Sequence, residues 1–309
     1  MIINGKSMHE FKGSRVKIMV TSRCTATCRH CCLNFSGTRE LDELNAMIAS
    51  LYGSYDLRLD GSEMLINDEY IRIMKQVGQD NVMTNGKLIL RDSQHCISIL
   101  KENGIRDIYF SYHYGIQDEL TDISLEDVEK AIRIVQDANF RTGLMCTVTK
   151  KNVHMIEEIC QKAVSLGAFY IQFNPIMLQG SARKNMQADA LSEDERRQLC
   201  QELRILYKKY LLELTIDAGK ATEISLSDDF VCRAVERKVW IGVDNKVYPC
   251  VFLIEPGMEI GVYQDGKVWI EDDIAWGGKR CAAYIICNEH KSLWKRGGSA
   301  DNRVDVQKL

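Results

Sequence analysis

The sequence predicts an α/β fold: a partial (β/α)6 barrel followed by a small β-rich module. Three observations carry that prediction. From Arg15 onward, short β-like runs alternate with amphipathic helical patterns; Gly53, Gly78, Gly104 and Gly167 stop the helices; and the pattern changes after about residue 220. Parallel strands need crossover helices, so a strand–helix repeat with glycine stops implies a parallel sheet. Six units rather than eight imply an incomplete barrel, with a doubly wound open sheet as the competing architecture.

The first strand is entered at Arg15 and reaches Ser22, and Leu41, Leu44, Ile48 and Leu51 then follow helical spacing up to Gly53. Tyr55 to Leu59 is the second strand. The next helix begins near Asn67, with Asp68 and Glu69 in its first turn, and ends at Gly78. Asn81 to Met83 is the third strand, followed by a helix through Ile97 and Leu100. Asp107 to Ser111 is the fourth. Ser124 and Asp127 have capping-box spacing before Val128, Ile132 and Val135. Leu144 to Val148 and Phe169 to Phe173 are the fifth and sixth strands, separated by a helix from Asn152. Ser192 with Glu195 opens a last helix through Leu199, Leu203 and Tyr207. From Val239 to Ile270 the chain reads as short strands and turns. The expected division is an N-terminal segment over 1–14, a TIM-like partial barrel over 15–220, and an appended module with a tail over 221–309.

Forty basic and forty-three acidic residues in 309 give a net charge of −3, with no Lys/Arg-rich run. The electrostatic footprint of a nucleic-acid binder is missing. No apolar run is long enough to span a bilayer, and the N-terminus lacks the apolar stretch of a secretory signal. The expectation is a soluble cytoplasmic protein without nucleic-acid or membrane partners. Twelve cysteines in a reducing compartment point to metal binding or catalysis rather than disulfides.

Cys24-Thr-Ala-Thr-Cys28-Arg-His-Cys31 directly follows the first strand. Three thiolates on one short loop can ligate three irons of a [4Fe–4S] cluster and leave the fourth iron open to a second molecule. A structural zinc loop, or small buried thiols, is the alternative.

This C-x3-C-x2-C spacing after a first strand resembles the signature of the radical S-adenosylmethionine (SAM) superfamily, and further matches run from Arg15 to about His290. Asp60-Gly61-Ser62-Glu63-Met64 resembles the family's Gly-Gly-Glu-Pro motif, with Ser62 and Met64 departing from it; the resemblance implies that Gly61, Ser62 and Glu63 meet the methionyl amine of SAM. Thr84-Asn85-Gly86 resembles the family's Thr-Asn-Gly turn. Taken alone, both are ordinary turns. Ser111 and Thr147 occupy positions implied to lie near the SAM ribose, with an exposed strand threonine as the alternative for Thr147, and His30 takes the position of an aromatic residue beside the adenine, with a surface histidine as the alternative. All these residues fall at C-terminal strand ends, the face on which parallel barrels build active sites.

Cys232, Cys250, Cys281 and Cys287 form a second set. Gly-Val-Asp-Asn-Lys-Val-Tyr-Pro-Cys250 resembles the hairpin before a ligating cysteine in twitch and SPASM modules, with Asn245 in place of the usual glycine. Four cysteines fit the shorter twitch-type module and one auxiliary [4Fe–4S] cluster; a four-cysteine zinc site is the alternative, and His290 an alternative ligand. Cys96, Cys160 and Cys200 fall in helical patterns and read as packed thiols. Cys146, on the fifth strand, is a candidate hydrogen-atom donor in a substrate cavity, against a second reading as a core thiol.

The resemblance implies reductive cleavage of SAM to a 5′-deoxyadenosyl radical, with an electron from flavodoxin or ferredoxin. It also implies a ribosomally made precursor peptide as substrate, for cross-linking, epimerisation or oxidation. A small-molecule dehydrogenase or cyclase and a non-catalytic zinc protein are the alternatives. With fewer than twenty residues before the first strand, a leader peptide is expected to dock on the barrel and module or on a separate partner.

Overall fold

The structure is a computed structural model that describes residues 2–3, 5–218, 234–272, 274 and 287–288. In chain order it begins β1 (Ile2–Ile3), β2 (Lys6–Glu10), β3 (Arg15–Met19), α1 (Leu41–Leu51) and β4 (Asp56–Asp60). Next come α2 (Asp68–Gln76), β5 (Asn81–Thr84), α3 (Lys87–Arg91), α4 (Ser93–Glu102) and β6 (Asp107–Ser111). There follow α5 (Gln117–Leu120), α6 (Leu125–Asp137), β7 (Arg141–Val148), α7 (Ile156–Ser165) and β8 (Tyr170–Pro175). Beyond them are α8 (Gly180–Asn185), α9 (Glu193–Lys209) and β9 (Thr215–Asp217). The last strands are β10 (Lys238–Ile241), β11 (Lys246–Tyr248), β12 (Gly261–Gln264) and β13 (Lys267–Glu271).

The chain divides into two compact units, neither continuous in sequence. The first comprises Met1–Arg23, Leu33–Ser62 and Val231–Leu309. Its sheet has the order β1-β2-β13-β12-β11-β10-β3-β4. Only β3 is flanked by parallel partners, β4 on one side and β10 on the other, with Val16 opposite Leu57 and Val239. The side chains of Val16 and Ile18 are fully buried, as are those of Leu44 and Met47 on α1. Met19, Trp240, Tyr248 and Ile254 form an apolar cluster with Phe35 and Val251 packed against it. The guanidinium of Arg39, also buried, donates to the carboxylate of Glu43, to Asn245 Oδ1 and to the Gly242 carbonyl, so it fastens the β10–β11 turn.

The N-terminal segment over residues 1–14 supplies β1 and β2. β2 pairs antiparallel with β13, Glu10 opposite Trp269. Met8 is its one buried residue, and Phe11 just beyond its end is buried against Tyr55. A single inward apolar residue leaves no alternation to read.

The second unit comprises Cys24–Cys32 and Glu63–Phe230. Its sheet is entirely parallel, β5-β6-β7-β8-β9. The expected α/β class and parallel repeat are borne out. All six expected strands form; β3 and β4 pair in the first sheet, and β5 to β8 in the second, which β9 extends. Helix starts follow local chemistry. Asn67 Oδ1 caps α2 by accepting the Glu69 N–H at 3.0 Å, and Ser192 with Glu195 forms a full capping box at α9. At α6, Ser124 accepts the Asp127 N–H while the shorter carboxylate of Asp127 accepts from the serine hydroxyl.

The two faces of this sheet differ. Ile108, Phe110, Leu144, Cys146, Val148, Ile171 and Phe173 are fully buried on one. The other carries Tyr109, Ser111, Met145, Thr147, Gln172 and Asn174, all partly exposed, with Ser111, Met145, Gln172 and Asp217 in register across four strands. Gly143 lies on this face. A Cβ there would come within 2.6 Å of the Tyr109 ring, so the close approach of Tyr109 requires glycine.

Candidate cluster and cofactor site

The cysteine loop is held in the second unit by backbone contacts that follow from where β5, β6 and β8 end. The segment after β6 grips it from one side. The Leu120 carbonyl accepts the Arg29 N–H at 2.8 Å, and Asp122 Oδ1 accepts the Thr27 N–H at 3.0 Å. On another side, the Ala182 N–H of α8 donates to the Cys31 carbonyl at 3.2 Å. From the turn after β5, Asn85 Nδ2 donates to Thr25 Oγ1 at 3.2 Å and lies 3.6 Å from the Cys24 sulfur. Lys87, next along, donates to the Thr25 carbonyl at 3.2 Å and pairs with Asp122 at 2.7 Å.

All three thiols are free; Cys24 is exposed, and Cys28 and Cys31 are half-buried. They lie close enough to influence one another. Burial, then the neighbouring Cys31 and Cys24 sulfurs, push the Cys28 thiol up to about 12, opposed by Lys87. Burial raises Cys24 as well, with smaller contributions from Glu63 and Cys31. Three thiolates here would repel one another with one lysine to offset them, so the thiolate form needs a cationic group on the loop. Iron would supply that charge, and the donor set fits a [4Fe–4S] cluster with one iron left open. Among the described residues, no three His, Cys, Asp or Glu side chains converge as a single metal ion requires.

Glu63 joins the two turn motifs. Its buried carboxyl accepts from Thr84 Oγ1 at 3.0 Å, from the Asn85 N–H at 3.2 Å and from the Leu65 N–H at 3.3 Å. Burial outweighs these bonds and pushes its pKa up to about 7. No Lys or Arg among the described residues pairs with it, so the ammonium of a ligand would complete it electrostatically. Gly86 adopts φ +91°, and a Cβ there would stand 3.1 Å from Ala131, which fixes glycine in the Thr-Asn-Gly turn. Ser62 and Gly61 close β4 in the first unit, where the Ser62 N–H donates to the Thr21 carbonyl at 3.0 Å.

Ser111 and Thr147 lie on the open face of the parallel sheet. Cys146 lies on the other face. It is fully buried among Leu144, Val148 and Phe173, with Cys160 of α7 nearby, and burial raises its thiol. Alternation of side chains along β7 puts it opposite Met145 and Thr147, so the core-thiol reading fits its position and the hydrogen-donor reading does not. Cys96, Cys160 and Cys200 are buried as expected.

Sequence reasoning missed the segment from His113 to Asp122, together with Lys87. His113 is buried, its Nδ1 accepts the Thr147 N–H at 3.0 Å, and its ring meets His30 edge-on with centroids 4.5 Å apart. The one signal available was its position, directly after the strand that ends at Ser111. Gln179, in the turn after β8, is buried with both carboxamide atoms unpartnered.

Of the second cysteine set, Cys250 and Cys287 are described, and Cys232, Cys281 and His290 lie outside the described residues. The Cys287 thiol donates to the Phe252 carbonyl at 3.7 Å, which brings it to the short stretch that begins at Cys250. The β10–β11 turn before Cys250 has Asn245 at φ +61°, the conformation that usually favours glycine.

No family model matches the chain. The antilisterial bacteriocin subtilosin biosynthesis protein AlbA from Bacillus subtilis (strain 168) is 23% identical over 249 residues, which is 75% of this chain and 53% of AlbA. The chain thus spans about half the length of this curated relative. Among solved structures, Streptococcus suis SuiB bound to the precursor peptide SuiA superposes with a TM-score of 0.63 at 13% identity, covering 79% of this chain and 61% of SuiB. The structure of anSMEcpe with bound AdoMet and Cp18Cys peptide also gives 0.63, at 16% identity over 82% of this chain and 78% of the other. The shared fold and the relative in sequence bear out the resemblance read from the motifs.

Proposed function

We propose that this chain is a radical SAM enzyme that modifies a ribosomally made precursor peptide. The observation that carries the reading is one constellation: three free, mutually adjacent thiols on a loop, joined through Asn85 to a buried carboxyl with no cationic partner. AlbA, a bacteriocin biosynthesis protein, and the peptide-bound structures of SuiB and anSMEcpe support the peptide half of the reading.

Cys24, Cys28 and Cys31 would hold the SAM-binding [4Fe–4S] cluster, which would supply the electron for reductive cleavage of SAM to methionine and a 5′-deoxyadenosyl radical. Glu63, set by Thr84 and Asn85, takes the methionyl ammonium beside Gly61 and Ser62. Ser111 and Thr147 face the ribose, and His30 the adenine. The partly polar row of Met145, Gln172 and Asn174 faces the peptide. Flavodoxin or ferredoxin supplies the electron. Residues 15–220 form the core, and 221–309 a twitch-type module whose Cys232, Cys250, Cys281 and Cys287 hold an auxiliary [4Fe–4S] cluster.

Anaerobic purification is expected to give a brown protein with about eight irons per chain. Converting Cys24, Cys28 and Cys31 together to Ala is expected to halve the iron and abolish 5′-deoxyadenosine formation. Persistent SAM cleavage in that variant overturns the assignment. Co-expression with a short neighbouring reading frame, read by mass spectrometry, tests the substrate. Loss of two mass units means cross-linking or oxidation, one solvent deuterium at unchanged connectivity means epimerisation, and an unmodified peptide removes the peptide reading.

A further inference from the structure

The residue between two of the three cluster cysteines on the loop, His30, is gripped from a direction that nothing above explains. After β6 the chain turns at Gly115, where φ is +81° and a Cβ would meet the Met155 sulfur at 2.7 Å. That turn fixes His113. Its N–H donates to the buried Gln117 Oε1 at 2.8 Å, and Gln117 in turn donates to Thr121 Oγ1 and to the Ile123 carbonyl. The imidazole is therefore placed by its backbone rather than by its own freedom.

Hydrogen bonding settles the tautomer of His113. His113 Nδ1 accepts from the Thr147 N–H, so the proton sits on Nε2, which has no partner. His30 Nδ1 is buried without a partner, so it is free to accept in the tautomer that carries its proton on Nε2. Two touching rings, His113 buried and His30 half-buried with its Nδ1 enclosed, thus present one unused donor and one unused acceptor. A buried polar atom without a partner costs more than a bond contributes, so a native structure that keeps a complementary pair of them has a use for both.

We propose that His113 is a positioning residue, which aims the His30 ring, and with it the stretch between Cys28 and Cys31, at the bound SAM. The open donor on His113 and the open acceptor on His30 are the two ends of a bond that the filled loop completes. Donors then run in one direction, from the Thr147 N–H through His113 to His30, and each link polarises the next. The end of β7 is thereby tied to the cluster loop.

The consequence for SAM rests on the function proposed above, and the test separates the two. His113→Phe keeps a ring and removes both bonds; His113→Asn keeps the acceptor for Thr147 but cannot reach His30; His113→Gln places a donor where Nε2 stood. In anaerobically reconstituted protein, the SAM dissociation constant is expected to rise about tenfold in the Phe and Asn variants and to stay within about twofold of wild type in the Gln variant. Iron per chain is expected to be unchanged. The electron paramagnetic resonance signal of the reduced cluster is expected to respond to SAM in wild type and His113→Gln at concentrations where the other two stay silent. A merely structural tie between β6 and β7 predicts the opposite rescue, Asn better than Gln, and that result overturns the proposal. So does equal SAM affinity in wild type and His113→Phe. A wild-type chain that takes up iron but binds no SAM removes the function itself and this inference with it.

Discussion

The carboxyl of Glu63 shows how much one residue can reveal by its environment. Folding raises its pKa from 4.5 to about 7, so the folded metal-free protein holds a proton that the unfolded chain has released. Stability therefore falls as pH climbs through that window, by about 3 kcal/mol once both states are ionised. Relative to Glu63→Gln, the metal-free wild type is expected to lose about that much between pH 4.5 and pH 8, read from denaturant midpoints; parallel curves would show that Glu63 does not titrate in this range. An arriving ammonium favours the charged carboxylate, so SAM binding is expected to tighten with pH through 7. Glu63 was legible in the sequence because its motif sits after a strand. Lys87, Asp122 and His113 were not, because each acts on the cysteine loop through tertiary approach from chain 60 to 95 residues away. The side of β7 on which Cys146 falls was open to the same difficulty, since alternation tells which residues share a face but not which face is open.

At the scale of elements, the long crossover units were legible and the short strands were not. The long helices α1, α2, α4, α6, α7 and α9 carry apolar residues at helical spacing and glycine or capping signals at their ends, which are local properties. β1, β2 and β9 have two to five residues each, too few for a period to register. Their existence depends on partners elsewhere: β2 on β13, and β9 on β8. Close strand contacts set a further constraint. A Cβ on Gly261 would fall 1.9 Å from the Trp269 carbonyl oxygen of the neighbouring strand. Gly261→Ala is thus expected to cost more than about 3 kcal/mol through displacement of β12 from β13, since backbone cannot rotate aside as a side chain can. A denaturation midpoint equal to wild type would show that the two strands tolerate separation.

Over the whole molecule, the class of fold and the place of the cysteine loop after the first long strand could be read in advance, whereas the division of six parallel strands between two sheets could not. Strand pairing depends on which neighbour is nearest in space, and the repeat pattern specifies only that neighbours are parallel. No helix among the described residues is long and apolar enough to cross a membrane. Each unit draws on separated stretches of chain, but they differ in reach. The second takes nearly all its residues from one run, 63–230, with a nine-residue loop added. The first joins residues 1–23 and 33–62 to those from 231 onward. Pulse-labelled hydrogen exchange during refolding is expected to protect amides of β6, β7 and β8 before those of β2, β3 and β13, because closing short loops costs less entropy. Simultaneous protection would show that the two units form in one step.

The pairing of β2 with β13, and of β3 with β10, has a consequence for a nascent chain. A ribosome that has just released Asp60 has made two neighbouring strands of a sheet whose remaining members, apart from the N-terminal pair, are still about 180 residues of translation away. Until Lys238 emerges, one edge of β3 offers its amides and carbonyls to any passing strand, so early capture by a chaperone, or by the correct late strand, decides whether the polypeptide matures or aggregates.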